Sequence, residues 1–266
     1  MAGGAGKAGK AGKAGGAAML LLLLPGIAAA QSLESRVYAK QDAVVRLSYA
    51  SRPGVCGSGE GNINMSDGND ERDGWTSDCE RGPVRVAITV SQGSVTRIST
   101  RVGGRWLPKT GVTDLGTVSA PAASQLMLAI ARKGGKAGED AIMPAMLADS
   151  VQIWPDLIKI AKNPSVSTDV RKSAVFWVGQ AAATAATAGL VAVVGDEAVN
   201  RDVRESAVFA LSERPNGEGV PALLATARND KDGKIRRSAI FWLGQSEDPR
   251  ALAYFEEVLT MGPTRQ

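Results

Sequence analysis

The 266-residue chain has no histidine, only two cysteines and 5% aromatic residues. Without imidazole there is no histidine general base and no histidine metal ligand, which removes many hydrolase triads and most catalytic zinc arrangements. An excess of one charge sign is also lacking. There are 31 basic and 27 acidic residues, but Lys7, Lys10 and Lys13 all fall in residues 1–30, which contain no acid, leaving 28 basic against 27 acidic groups elsewhere. A chain so near neutrality gives no electrostatic reason to expect a nucleic-acid partner. No apolar run reaches the 18 or so residues of a membrane-spanning helix. The longest leader stretch, Ala17-Ala18-Met19 and Leu20 to Leu24, is broken by Pro25-Gly26.

A lysine-bearing Gly/Ala segment, a short leucine run and the small residues Ala28-Ala29-Ala30 describe a secretory signal peptide over residues 1–30. Cleavage after Ala30 is expected to leave Gln31 first, with no stable membrane span. No cysteine follows that site, so a lipid-modified N-terminus is not expected. Export to the periplasm or the extracellular space places Cys56 and Cys79 where they should pair. Closing that loop contributes on the order of 3 kcal/mol in the chain-entropy model.

Residues 31–118 have period two and read as a β-rich module. Val84, Val86, Ile88 and Val90 alternate with Arg85, Ala87, Thr89 and Ser91, and Ala43, Val45, Leu47 and Tyr49 read similarly. Gln92-Gly93 is a hairpin turn, after which Val95 and Ile98 change parity, so a bulge or a longer loop is expected. Ser51 to Gly82 reads as a long loop tethered by the disulfide. Residues 119–149 form a helical cap or linker. Ser119 is the N-cap ahead of Pro121, Gly134-Gly135 ends the first helix, and a second covers Glu139 to Ala148.

Over residues 150–262 the sequence repeats itself. Three segments align without gaps: Val170 to Gln180, Val203 to Glu213 and Ile235 to Gln245. Ahead of the first and third lie matching helical pieces, Trp154 to Asn163 and Val220 to Asn229, and Ala186 to Asp196 fills that place in the middle copy. A period of this length built from helix pairs predicts an α-solenoid. A 100° projection places Val170, Ala174, Trp177, Val178 and Ala181 on one core stripe. Asp169 and Asp202 read as N-caps, and Gly233-Lys234 offers none in the third copy. Arg171, Arg204 and Arg236 read as a ladder of ion pairs to loop carboxylates such as Asp169 and Asp202, with a binding role as the alternative.

The pattern resembles the short bacterial HEAT repeats, the type also found in phycobilisome-lyase-like proteins. The resemblance rests on Val170-Arg171, Val203-Arg204 and Ile235-Arg236, on Ala174, Ala207 and Ala239, and on Val178-Gly179, Leu211-Ser212 and Leu243-Gly244. It does not extend to the β-rich module.

Phe176, Phe209 and Phe241 occupy one position of the three copies, on the side away from the stripe. They pack between repeats or form an aromatic ladder for a protein partner. Lys172, Glu205 and Arg237, with Gln180, Glu213 and Gln245, lie beside them. Their mixed charge suits a protein surface better than a polyanion. In the acidic loop, Asn69, Glu71, Asp73, Gly74 and Glu80 approach EF-hand calcium spacing, but with asparagine first, glutamate third and no flanking helices; the alternative is a solvated turn. Gly57-Ser58-Gly59-Glu60-Gly61 lacks the helix a phosphate loop needs. No cofactor and no catalytic residue is expected. The resulting expectation is an exported, non-catalytic protein-interaction scaffold. The alternatives are an enzyme or enzyme accessory of the HEAT-type lyase class, or calcium-assisted binding by the β-rich module.

Overall fold

The computed structural model describes Met1, Gly3, Gly4 and residues 32–59, 61–65 and 79–260. The rest of the leader, Asn69, Glu71 and Asp73 lie outside the described residues. The elements follow in the order α1 (Leu33–Tyr38), β1 (Ala43–Tyr49), β2 (Cys56–Gly57), β3 (Ile63–Asn64), β4 (Val84–Ser91), β5 (Ser94–Val102), β6 (Val112–Thr117), α2 (Ala120–Lys133), α3 (Gly135–Met146), α4 (Trp154–Lys162), α5 (Thr168–Gly179), α6 (Ala185–Val194), α7 (Arg201–Ser212), α8 (Val220–Asn229), α9 (Gly233–Gly244) and α10 (Pro249–Thr260). A β-rich module carrying a disulfide thus precedes a solenoid of helix pairs.

The module is a four-stranded sheet in the order β5-β4-β1-β6. β1 and β5 flank β4 antiparallel, while β6 pairs parallel to β1. Val84, Val86, Ile88 and Val90 are buried and meet Val45, Leu47 and Tyr49 on the inner face. Gln92 (φ 49°) and Gly93 (φ 71°) both have the positive φ that a type I′ hairpin turn requires. The parity change is a bulge: Thr89 opposes Arg97 whereas Val90 opposes Val95, leaving Thr96 as the extra residue.

Two features depart from the period-two reading. The first residues after Gln31 form α1, where Ser32 Oγ accepts from Ser35 N at 3.1 Å and only Val37 is buried. One and a half turns are too short to imprint a helical period. The long loop also contains its own two-stranded ladder, Cys56–Gly57 against Ile63–Asn64, beside the Cys56–Cys79 disulfide with its 5.3 Å Cα separation.

β5 and β6 run parallel at opposite edges, so residues 103–111 must travel back across the outer face as a strap. Arg85 Nε donates to Gly103 O at 3.1 Å and Arg46 Nη1 to Leu107 O at 3.0 Å, while the Arg46 guanidinium stacks 4.4 Å from the Trp106 ring.

The inner face packs on α2 and α3. Tyr49 Oη donates to Pro144 O at 2.6 Å and Ser124 Oγ to Ala145 O at 3.3 Å, so two carbonyls orphaned at the end of α3 are satisfied from the sheet and from α2. Burial drives the Tyr49 phenol far above its ordinary pKa. Main-chain bonds Arg52 N to Leu147 O (2.9 Å) and Asp149 N to Ala50 O (3.0 Å) complete the seam. α2 and α3, expected as a cap, pack against each other as the later pairs do, and α3 lies against both β5 and α5. Sheet and solenoid therefore share one hydrophobic cluster.

Pairs α4/α5, α6/α7 and α8/α9 follow, and their second helices stack α3 on α5, α5 on α7 and α7 on α9. Val170, Ala174 and Val178 are fully buried, as are Val203, Ala207, Ile235, Ala239 and Leu243. Trp177 departs from the expected stripe and is only half-buried. The caps also differ from expectation. Asn200 Oδ1 accepts from Asp202 N at 2.8 Å and Asp232 Oδ1 from Lys234 N at 2.9 Å, while Ser167 precedes α5 without a side-chain cap. Asp169 and Asp202 instead lie in the first turn, where negative charge favours the helix dipole. The third copy therefore does have a cap.

The motif arginines do not pair with Asp169 or Asp202. Arg171 Nε donates to Ala161 O, Arg204 Nε to Val194 O and Arg236 Nη1 to Asp230 O, each at 2.7 Å. Each arginine thus reaches back to the end of the first helix of its own repeat and satisfies a carbonyl there. Arg204 also pairs with Asp230 of the next repeat at 2.6 Å. Arg171 has no carboxylate partner among the described residues, and burial pulls its pKa below the ordinary guanidinium value.

Candidate functional site: a groove along the second helices

The i, i+3, i+4, i+7 spacing of Asp169, Lys172, Ser173 and Phe176 puts all four on one face of α5. With Ser206 and Phe209 of α7 and Glu139 of α3 they line a hollow of about 430 Å³. A second hollow of about 620 Å³ lies on the sheet side, bounded by Thr96, Ile98 and Thr100 of β5, Lys136 and Met143 of α3, and Trp177 of α5. Glu139 and Ser173 line both, so the two hollows form one groove from the sheet to the middle of the solenoid.

The three phenylalanines divide. Phe176 is 43% and Phe241 57% exposed, each edge-on to the adjacent tryptophan in its own helix, Trp177 at 5.3 Å and Trp242 at 5.0 Å between ring centroids. Phe209 is half-buried against Trp242 of the following repeat, 4.8 Å between centroids. The equivalent sequence position is thus inter-repeat packing in the middle copy and open surface in the outer two.

Of the nine residues singled out for partner contact, the hollow beside α5 gathers Lys172, Phe176 and Phe209. Gln180, Glu213, Arg237 and Gln245 are exposed and Glu205 is half-buried; none of these, nor Phe241, lines either hollow. Sequence reasoning missed Glu139, Ser173 and Ser206, and above all the contribution of β5. The serines carried a signal, since Ser173, Ser206 and Ser238 share one repeat position. The β5 contribution did not, because it depends on how the sheet docks.

Part of the groove's charge is paired internally, while Asp169, Lys172 and Arg97 make no ion pair among the described residues. Lys136 Nζ lies 3.1 Å from both Glu139 Oε2 and Asp140 Oδ1, and these hydrogen bonds raise its pKa. What remains for a ligand is aromatic surface from Phe176, Phe209 and Trp177, serine and threonine hydroxyls, and unpaired charges of both signs. Glu80 is the one described member of the proposed calcium set, and its Oε2 accepts from Gly104 N at 2.8 Å. Among the described residues no group of three metal-binding side chains occurs, and no helix is long and apolar enough to cross a membrane.

The family model for HEAT repeats matches residues 197–265, from the loop after α6 onward. No curated protein and no solved structure matches the chain.

Proposed function

We propose that the protein is an exported, non-catalytic scaffold that holds a segment of another protein in the groove between β5 and the second helices. The observation that carries this reading is the exposed aromatic step of Phe176 on Trp177, both of which line the groove, with a second step, Phe241 on Trp242, farther along the second-helix layer outside the two hollows. Aromatic side chains presented on a rigid helix layer dominate the energetics of protein interfaces. The leader composition supports export, and the disulfide suits an oxidising compartment. The HEAT-type match over the last repeats supports a binding architecture, although fold alone does not name a partner.

Cross-linking and affinity capture from cell-envelope extracts, run with the parent chain and with Phe176→Ala/Phe241→Ala, test the reading. Loss of hot-spot aromatics costs about 2 kcal/mol or more each, so a partner held by the parent should be lost from the variant. Identical captures from both, or a partner retained by the sheet face alone, count against the groove.

A further inference from the structure

The outer face of the sheet is unlike the groove. Arg46, Arg85 and Arg101 lie on that face, and Arg85 stands directly opposite Arg101 across the β4–β5 ladder. Like charges in that position repel; Arg85 turns to Gly103 O and Ser48 Oγ and Arg101 to Ser99 Oγ, and neither has a carboxylate partner among the described residues. The acids facing this surface among the described residues are Asp114, opposite Arg46, Asp42 at its edge, whose Oδ1 accepts from Ser91 Oγ and Gln92 N, and Glu80, whose Oε2 is taken by Gly104 N. Asp114 Oδ1 accepts from Gly116 N at 2.8 Å and makes no ion pair among the described residues.

The strap across this face carries a second signal. Its middle is pinned from below by the Arg46 bond to Leu107 O and by the Trp106 stack. With its main chain so held, Leu107 projects outward and is 68% exposed, followed by exposed Pro108. Exposed Arg105 and Lys109 flank them. A soluble polyanion would use the arginines and have no need of a leucine held in water. An apolar tip between cations is what a lipid interface selects, because the tip enters the headgroup–acyl boundary while the cations stay with the anionic headgroups.

We infer that the strap and the arginine face beneath it form a docking surface for a bilayer rich in anionic lipid, independent of the groove reading. The protein lies on such a membrane by this face and leaves the groove open to its partner.

Flotation of the full chain with phosphatidylcholine vesicles, alone or with about 30% phosphatidylglycerol, tests this directly, since each cation near an anionic surface strengthens binding about fivefold. Any affinity of the leader is common to parent and variants and cancels in their ratio. Arg105→Glu/Lys109→Glu should lower partitioning into the anionic vesicles by about tenfold or more and leave the neutral vesicles unaffected. Leu107→Ser should weaken it severalfold, roughly equally at low and high salt, because apolar insertion is not screened. The altered side chains are exposed, so thermal melts should match the parent. If the glutamate pair disturbs folding, Arg105→Ala/Lys109→Ala gives the same reading at smaller amplitude. A parent that does not prefer anionic vesicles, or a charge-reversed variant that binds like the parent, overturns the proposal. So does an unchanged Leu107→Ser whose parent is displaced by dextran sulfate, which would make the face a site for soluble polyanions.

Discussion

Arg214 offers the sharpest test of how the repeats are held together. In the repeat alignment it occupies the position of two small residues, buried Ala181 and half-buried Ser246. Its side chain is fully buried. Nε donates to Thr187 Oγ1 at 2.9 Å, Nη1 to Gly179 O at 3.0 Å and to Ala181 O, and Nη2 to Ala183 O at 3.1 Å and Glu218 Oε2 at 2.9 Å. One guanidinium thus satisfies the end of α5 and the whole turn into α6 from the end of α7. Arg214→Ala removes all five bonds and strands at least the buried carbonyls of Gly179 and Ala181. At about 1–3 kcal/mol per stranded acceptor, and allowing some water to enter, the loss should be about 3–5 kcal/mol. Arg214→Lys keeps the charge but not the planar fork and should cost about 2 kcal/mol. Urea unfolding followed by far-UV circular dichroism, with slopes compared, measures both. A loss below about 1 kcal/mol for alanine, or a lysine variant as stable as the parent, would refute the assignment of Arg214 as the tie between repeats.

Gly219→Ala should be among the most damaging single-methyl changes in the chain. A Cβ there would run into the Leu211 carbonyl, so α7 and α8 must separate, at a cost of about 3 kcal/mol or more in the same unfolding assay. Leu211→Ala should lose about 2–5 kcal/mol, because Leu211 is 1% exposed and its cavity is walled by helices; a midpoint unchanged in urea would contradict that burial. The solenoid should also be acid-labile. A hydrogen bond from Lys162 holds Asp196 below the ordinary carboxylate range, bonds from Thr187 and then Arg214 do the same for Glu218, and Arg201 does so for Asp232. Arg250 holds Asp248 down at about 2. A folded-state pKa below the unfolded one stabilises at neutral pH. That contribution is lost as pH falls from about 4 toward 2, so the urea midpoint should drop across this window; a midpoint that stays level or rises there would show the pairs to be inconsequential.

The helix pairs were legible in the sequence because each copy repeats the same apolar stripe, and a stripe seen three times fixes both period and face. The hairpin was legible for a similar reason, and even its bulge announced itself through the parity of Val95 and Ile98. Harder to read were features set by single atoms. Asp202 and Asn200 are both good capping residues in isolation, and only the main-chain torsions decide that the N-cap lies two residues earlier, as it also does at Ser167 ahead of Asp169. The arginine ladder looked like ion pairs because charge suggests charge, and Arg204 does pair with the loop carboxylate Asp230, yet the acceptors common to the set are the main-chain carbonyls of Ala161, Val194 and Asp230. The groove was legible on one side only. Its helical wall followed from the repeats, whereas its β5 wall depends on the seam from Tyr49 to Pro144, which spans residues too far apart for any local pattern to link. The arginine face was hidden by averaging, because a whole-chain charge close to zero is compatible with one strongly basic surface. That face could have been drawn from the alternation itself, which places Arg85 and Arg46 opposite the buried valines.

The seam between sheet and solenoid gives the array a direction. The α2–α3 pair is covered by the sheet, α3 lying against β5, whereas Leu252 and Leu259 of α10 remain 61% and 80% exposed. In a stacked array each repeat is held mainly by its neighbours, so opening starts where neighbours are fewest. Unfolding fluctuations should therefore peel inward from α10 and stop at the sheet, as a zipper with one end sewn shut. Amide protons should grade from slow exchange near β4 and α2 to fast exchange in α10. The groove near β5 is then the most rigid part of the binding surface, and its far end the most adaptable.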